Sequence, residues 1–189
     1  MKFTIIMLIL AAYQFVTAAE TKAVVWENCD NINRKTWGQT AWRPKSFVST
    51  EVGKLSADTT EKAEGKGSIR FEITYEDVVE KMKKMPTLDR ICVNYLHGSD
   101  FSKNTAYEFQ IKCESAQHPE IWVAMGYTKW NKILNRNEVT NGWKKIKIPS
   151  VGLFPKPCPA TVFRVFALPK EFKEGDKIDL YIDDMKLYR

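Results

Sequence analysis

Apolar residues recur at every second position through much of this chain. Ile69, Phe71, Ile73 and Tyr75 alternate with Arg70, Glu72 and Thr74, and Tyr107, Phe109 and Ile111 alternate with Glu108, Gln110 and Lys112. Successive side chains of a strand lie on opposite faces, so this pattern predicts strands with one packed face and one wet face, as in antiparallel sheets. The same criterion, with enrichment in β-branched and aromatic residues, predicts strands over Val24–Trp26, Ser68–Tyr75, Ile91–Leu96, Tyr107–Cys113, Ile121–Tyr127, Trp143–Ile148, Val162–Leu168 and Ile178–Leu187. Gly65-Lys66-Gly67, His97-Gly98-Ser99-Asp100, His118-Pro119, Asn141-Gly142 and Glu174-Gly175-Asp176 supply turn chemistry between them. The region from Asn31 to Thr60, with Trp37 and Trp42, reads as a long polar connection holding one strand over Ser46–Val52. Only Glu76–Met85 has a helical period, with Val78, Val79, Met82 and Met85 on one side and Pro86 as the stop. The chain is therefore expected to be all-β: a two-sheet antiparallel β-sandwich with at most one short helix.

The last strand breaks its own pattern. In Ile178-Asp179-Leu180-Tyr181-Ile182-Asp183-Asp184-Met185-Lys186-Leu187-Tyr188 two adjacent carboxylates interrupt an alternating run. One of Asp183 and Asp184 should face inward unless a bulge turns it away. A carboxylate placed inside needs a cation, an Arg or Lys, or a set of backbone N–H groups, because a bare buried charge costs several kcal/mol or more. An exposed bulge with both carboxylates in water is the competing reading.

The opposite end carries a different signal. Lys2 precedes an apolar run from Phe3 to Val16, and the small residues Thr17, Ala18 and Ala19 follow. This is the pattern of a secretory signal peptide over residues 1–19, leaving one domain over 20–189 that is expected to be exported, extracellular or periplasmic, with no membrane attachment after cleavage. A domain of about 170 residues is large enough to bury a real core and too small to divide comfortably. The 29 basic and 23 acidic residues give a net charge of +6, a modest excess that favours an anionic partner without naming one. Part of it gathers at Lys129, Lys132, Arg136, Lys144, Lys145 and Lys147, which reads either as a solvated face or as a binding patch. Four cysteines are an even number in an exported chain. Bridges Cys92–Cys113 and Cys29–Cys158 are the preferred pairing, since Cys92 and Cys113 lie on consecutive predicted strands, and free buried thiols are the alternative. No CxxC pair exists, so zinc has no support.

Several short motifs fall in a recognisable order. Val24-Val25-Trp26-Glu27-Asn28 opens the domain and Gly65-Lys66-Gly67-Ser68-Ile69-Arg70-Phe71 follows. Then come Ile121-Trp122-Val123-Ala124-Met125-Gly126, Gly142-Trp143-Lys144-Lys145-Ile146-Lys147-Ile148-Pro149 and Leu180-Tyr181-Ile182-Asp183-Asp184-Met185-Lys186-Leu187. This order resembles the galactose-binding-domain-like jelly roll of carbohydrate-binding modules attached to polysaccharide-degrading enzymes. The resemblance implies a non-catalytic module that binds a polysaccharide or glycan as a monomer. It also implies a structural calcium ion held by Glu27 with Asp183 or Asp184, on first and last strands that lie side by side. Calcium takes six to eight oxygens at about 2.3–2.6 Å in flexible geometry, which suits such a role.

In such modules aromatic rings take the C–H face of a sugar and polar groups take its hydroxyls. Trp122 shares a strand face with Ala124 and Gly126, opposite Ile121, Val123 and Met125, so small residues beside it leave room for a ligand or for a packed loop. Trp130, with Lys129, is expected in the loop that follows. Arg164, opposite Phe163 and Val165, and Asn94 are the further candidates for the same groove, and Trp143 is assigned to the core. Glu72, Glu108 and Glu120 with His97 and His118 lack the spacing of a catalytic set, and no GxSxG, Walker, HExxH or catalytic cysteine signature is present. A small jelly-roll lyase or hydrolase acting on an anionic polysaccharide, and a protein-interaction module, remain the alternatives. Nucleic acid is disfavoured by export and by the lack of a basic helix.

Overall fold

The computed structural model describes residues 22–33, 35–43, 46–48, 52–84, 90–99, 104–115, 120–125, 129–134, 142–149, 158–166 and 172–189. Within these, 39–43, 46–48, 90, 92, 96–99, 124, 125, 129–134 and 158–166 are described by backbone alone. In chain order the elements are β1 (Ala23–Glu27), β2 (Trp37–Arg43), β3 (Ser46–Val48), β4 (Lys54–Asp58), β5 (Ser68–Thr74), α1 (Tyr75–Lys84), β6 (Arg90–Ser99), β7 (Ala106–Ser115), β8 (Glu120–Met125), β9 (Lys129–Leu134), β10 (Lys144–Pro149), β11 (Cys158–Phe166) and β12 (Lys177–Tyr188). They form two six-stranded antiparallel sheets. Sheet A runs β10-β7-β12-β5-β4 with β1 also paired to β12, and sheet B runs β3-β2-β6-β11-β8-β9. The expected β-sandwich is thus formed, with one short helix.

The alternating residues close the core. Ile69, Phe71, Ile73, Tyr107, Phe109, Ile111, Ile178, Leu180 and Ile182 come from sheet A, and Trp37, Ile91, Val93, Tyr95, Ile121 and Val123 from sheet B; all are buried in one cluster. Trp37 and Tyr95 lie with ring centroids 4.9 Å apart, and Trp26 meets Tyr95 edge-on at 5.1 Å. Region 31–60 is more regular than expected, because Trp37 anchors β2 between β3 and β6. Helix α1 begins with a capping box, in which the Thr74 N–H donates to Asp77 and the Asp77 N–H donates to the Thr74 hydroxyl. Its expected apolar stripe is only partly used: Val78 is buried, whereas Met82 is exposed.

The expected disulfides are not formed. Cys29 and Cys113 are free, buried thiols. Cys113 sits on β7 opposite Leu180 in sheet A, while β6, which carries Cys92, belongs to sheet B. Consecutive in sequence, the two strands lie in different layers. The side chains of Cys92 and Cys158 lie outside the described residues.

Where the two carboxylates stand, β12 changes partner. Ile178 to Ile182 pair with β5, whereas Met185 to Tyr188 pair with β1. A bulge between Asp183 and Lys186 resets the alternation: Ile178, Leu180 and Ile182 face inward before it, Met185 and Leu187 after it. Asp184 takes the left-handed φ of 49° that the bulge requires. Asp183 is fully buried, and its Oδ2 accepts the N–H groups of Ala63 at 2.8 Å and Glu64 at 3.0 Å, while Oδ1 accepts the N–H of Asp184 at 2.7 Å. Asp30 does the same beside it, accepting the N–H groups of Lys66 and Gly67 at 2.6 and 3.1 Å. Gly65, with φ +64°, passes so close that a Cβ there would lie 2.6 Å from Asp30 Oδ1, which explains one glycine of the Gly-Lys-Gly motif. Truncating Asp183→Ala leaves buried N–H donors without an acceptor and is expected to cost about 2–4 kcal/mol in urea unfolding. A change within experimental error would show that this fork, where β12 passes from β5 to β1, does not depend on the carboxylate.

Candidate functional site

The outer face of sheet B collects most of the residues singled out above. Because Ile91, Val93, Tyr95, Ile121 and Val123 face the core, the alternate positions of β6 and β8 belong to the opposite face. The register aligns them in three neighbouring rungs. Trp42, Arg90, Phe166 and Glu120 form the first, Thr40, Cys92, Arg164, Trp122 and Lys132 the second, and Gly38, Asn94, Val162, Ala124 and Trp130 the third. Trp122, Arg164, Trp130 and Asn94 are thereby brought to two adjacent rungs of one face. Arg164 stands directly opposite Trp122. Lys129 pairs with Met125, a position of opposite parity from Trp130, so it does not share those rungs. The stretch that carries Trp130 and Lys129 is not the expected loop but the edge strand β9. The side chains of Trp130, Lys129 and Arg164 lie outside the described residues.

Trp122 is half-buried, and its indole N–H donates to Glu120 Oε1 at 2.5 Å. Both residues lie on the same face of β8, two positions apart, so the bond fixes the ring along the strand. Around it the relief is uneven. Asn94 is only 2% exposed, whereas a Cβ added at neighbouring Gly38 would meet nothing within 4 Å. The face therefore has a covered centre beside an open floor at Gly38.

Trp42, Arg90, Gly38 and Glu120 were not recognisable as members of this set from sequence reading. Their signal was parity: Gly38, Thr40 and Trp42 alternate along β2, and Arg90 alternates with Cys92 and Asn94 along β6. That parity becomes informative only once β2 is known to be a strand. Trp143, assigned to the core, instead lies half-buried on sheet A, its ring 6.3 Å from that of Tyr181.

Glu27 stands opposite Met185, the residue after Asp183-Asp184, so the three carboxylates expected to hold calcium do gather at the fork, next to the Cys29 thiol that follows Glu27 by two residues. Burial first, then these charges, push that thiol well above its ordinary range. The donors are already committed, however. Asp183 is occupied by its three N–H groups, and burial outweighs them, leaving its pKa raised. Asp184 pairs with Lys186. Glu27 accepts the Cys29 N–H at 2.9 Å and the hydroxyl hydrogen bond of Tyr95, whose pKa is raised by burial and by this carboxylate. Among the described residues no three His, Cys, Asp or Glu side chains form a ligand set. Positive N–H dipoles and an ammonium stand where a hard cation would need open oxygens, so these residues as folded do not fit calcium.

No protein-family model matches the chain, and no curated protein matches it in sequence. Solved structures do match. One is a carbohydrate-binding module of the β-sandwich superfamily described for promiscuous specificity, with a TM-score of 0.56, 11% identity, and coverage of 90% of this chain and 64% of that one. Another is the family 11 carbohydrate-binding module of Clostridium thermocellum in complex with a β-1,3-1,4-mixed-linked tetrasaccharide, at 0.50 and 12%, covering 87% and 94%. A third is the glycoside hydrolase domain of Endo-D from Streptococcus pneumoniae, at 0.51 and 12%, of which the match spans only 21% of that chain against 80% of this one. At these identities the likeness concerns architecture: the chain has the β-sandwich fold of carbohydrate-binding modules.

The commitment of the fork carboxylates to protein donors sets one expectation. Thermal melts with EDTA and with added calcium should superimpose, because only an ion that binds the folded state raises Tm, and does so increasingly as its concentration exceeds its Kd. A clear upward shift with calcium would mean that the carboxylates rearrange to take it.

Proposed function

We propose that this protein is an exported, non-catalytic module that binds a polysaccharide or glycan on the outer face of sheet B. The observation that carries the reading is the convergence of Trp122, Trp130, Arg164 and Asn94 on two adjacent rungs, beside the open floor at Gly38. A ring held by Glu120 presents a flat apolar surface without first losing rotamer freedom, which favours stacking against the C–H face of a sugar. Arg164, on the same rung as Trp122, is of a residue type that donates to hydroxyl oxygens, whereas Asn94, 2% exposed, belongs to the covered part of the face. The fold shared with carbohydrate-binding modules supports the same reading, as does the secretory pattern at residues 1–19, since polysaccharides are met outside the cell.

Two substitutions test it by isothermal titration against a glycan panel. Trp122→Ala is expected to weaken binding by about 1–3 kcal/mol, because it removes the stacking surface, while the melting transition stays cooperative. Gly38→Phe places a ring on the ligand side and is expected to block binding; the glycine has an ordinary strand backbone and a Cβ there meets nothing within 4 Å, and a thermal melt checks that the variant is folded. If both variants bind like the parent protein, the face is not the site. Screening the same polysaccharides for new reducing ends or unsaturated products separates a binder from the lyase or hydrolase alternative.

A further inference from the structure

We infer that the ligand of this face is an anionic saccharide, one bearing carboxylate or sulfate groups, and the inference rests on the carbohydrate reading above. The three rungs carry four charged positions: Arg90, Arg164 and Lys132 against Glu120, an excess of two positive charges on one face. Arg90 and Arg164 occupy β6 and β11, the two central strands of sheet B, and are diagonal neighbours across that pair, since Arg164 lies opposite Cys92 and Arg90 opposite Phe166. Diagonal neighbours are about 7–8 Å apart, which puts both positions within the span of a disaccharide. Trp122 stands directly beside Arg164 on β8, so a stacking surface and two arginine positions adjoin. The one carboxylate, Glu120, lies beyond Phe166 and accepts the Trp122 indole N–H.

The contrast with the other sheet gives this excess its meaning. On sheet A, Arg70 pairs with Asp179 at 2.7 Å and with Glu72 at 2.5 Å. Lys112 pairs with Glu61 and Glu114 at 2.7 and 2.6 Å, and Lys177 with Asp179 at 2.9 Å. There cations and carboxylates answer one another strand by strand, and a charged ligand would have to displace an internal partner. On sheet B the cations outnumber the carboxylate, whatever pairs form among them. A neutral sugar covering those rungs would desolvate a net positive charge, whereas a carboxylate or sulfate matches the planar fork of an arginine, which can bind it in two parallel bonds.

The test compares matched ligands. Polygalacturonate is set against its fully methyl-esterified form, and dextran sulfate against dextran, each titrated at low and at high salt. At least one anionic member is expected to bind about tenfold or more tighter than its uncharged counterpart, and to weaken as salt rises. The pair that responds tells carboxylate from sulfate recognition. Arg164→Gln and Arg90→Gln should each remove most of the difference, and Arg164→Lys should keep part of it. Lys145→Gln, an exposed cation of sheet A, should leave it unchanged, which guards against general polyanion binding. Thermal melts of each variant exclude unfolding as the cause. Equal affinity for charged and uncharged partners overturns the inference and leaves the carbohydrate reading standing. A loss with Lys145→Gln as large as with Arg164→Gln also overturns it. Absence of binding to any saccharide removes both.

Discussion

A buried carboxylate, Asp183, that has no ion-pair partner among the described residues organises this sandwich. Asp183 has no solvent access, yet its three acceptor contacts come from the loop before β5 and from its own bulge. A charge in that position is tolerable only while every one of those N–H groups is delivered, so the loop, the bulge and both flanking strands must be correct together. The contacts to Ala63 and Glu64 span 120 and 119 residues of sequence. They tie the last strand to the middle of the chain, just where β1 replaces β5 beside β12. Asp30 repeats the device from the other side, holding the Lys66-Gly67 turn against the end of β1. The ends of the domain are thus joined by directed hydrogen bonds in addition to the packing of Met185 and Leu187.

With sheet A closed in this way, its outer surface has little freedom left. Tyr181 is buried on that side, with the Arg70 guanidinium 5.9 Å and the Lys112 ammonium 5.7 Å from its ring centroid. The carboxylates of Glu72, Asp179 and Glu114 stand in one rung, a like-charge arrangement that is unfavourable alone and is relieved by Arg70, Lys112 and Lys177. Part of the lysine-rich stretch noted in the sequence belongs to this system: Lys145 reaches Glu108 at 3.6 Å and Lys147 lies 3.5 Å above the Tyr188 ring. Those lysines cover a sheet that is already balanced, and they stand on the sheet opposite the one that carries Trp122.

Strict alternation made β5 and β7 legible from end to end, and made β12 legible on either side of its bulge, because within each run both faces follow one rule. Strands β2, β4 and β9 were not legible for the opposite reason. Gly38 and Thr40 interrupt the apolar signal of β2, Lys54-Leu55-Ser56 offers a single core residue, and Lys129-Trp130-Asn131-Lys132 at a sheet edge carries no apolar alternation in its sequence. Each is fixed by its neighbours in the sheet, which a local pattern does not contain. Asp183 and Asp184 announced a bulge and a demand for partners. Backbone N–H groups for one and Lys186 for the other were among the solutions open at that stage, and the choice depended on a loop 120 residues away. The pairing of cysteines failed as a reading because adjacency in sequence does not say which layer a strand joins. For the ligand face, Trp122, Arg164 and Asn94 were legible one strand at a time, but their convergence is a property of register.

Register also explains why sheet B rather than sheet A is the face on which recognition is proposed. A face recognises a ligand when its groups are oriented but not already satisfied by one another. Sheet A meets the first condition and fails the second, since its cations have carboxylate partners at ion-pair distance. Sheet B holds one indole fixed by a neighbouring carboxylate, an open floor where a glycine replaces a side chain, and a surplus of cationic positions on its central strands. The hydrogen bond from Trp122 to Glu120 serves both ends of that arrangement. It orients the ring along β8, and because the indole is neutral it leaves the net positive count of those rungs unchanged. An engagement of this kind inside the face, rather than the number of aromatic residues, is what separates a surface organised for a ligand from one that is merely apolar.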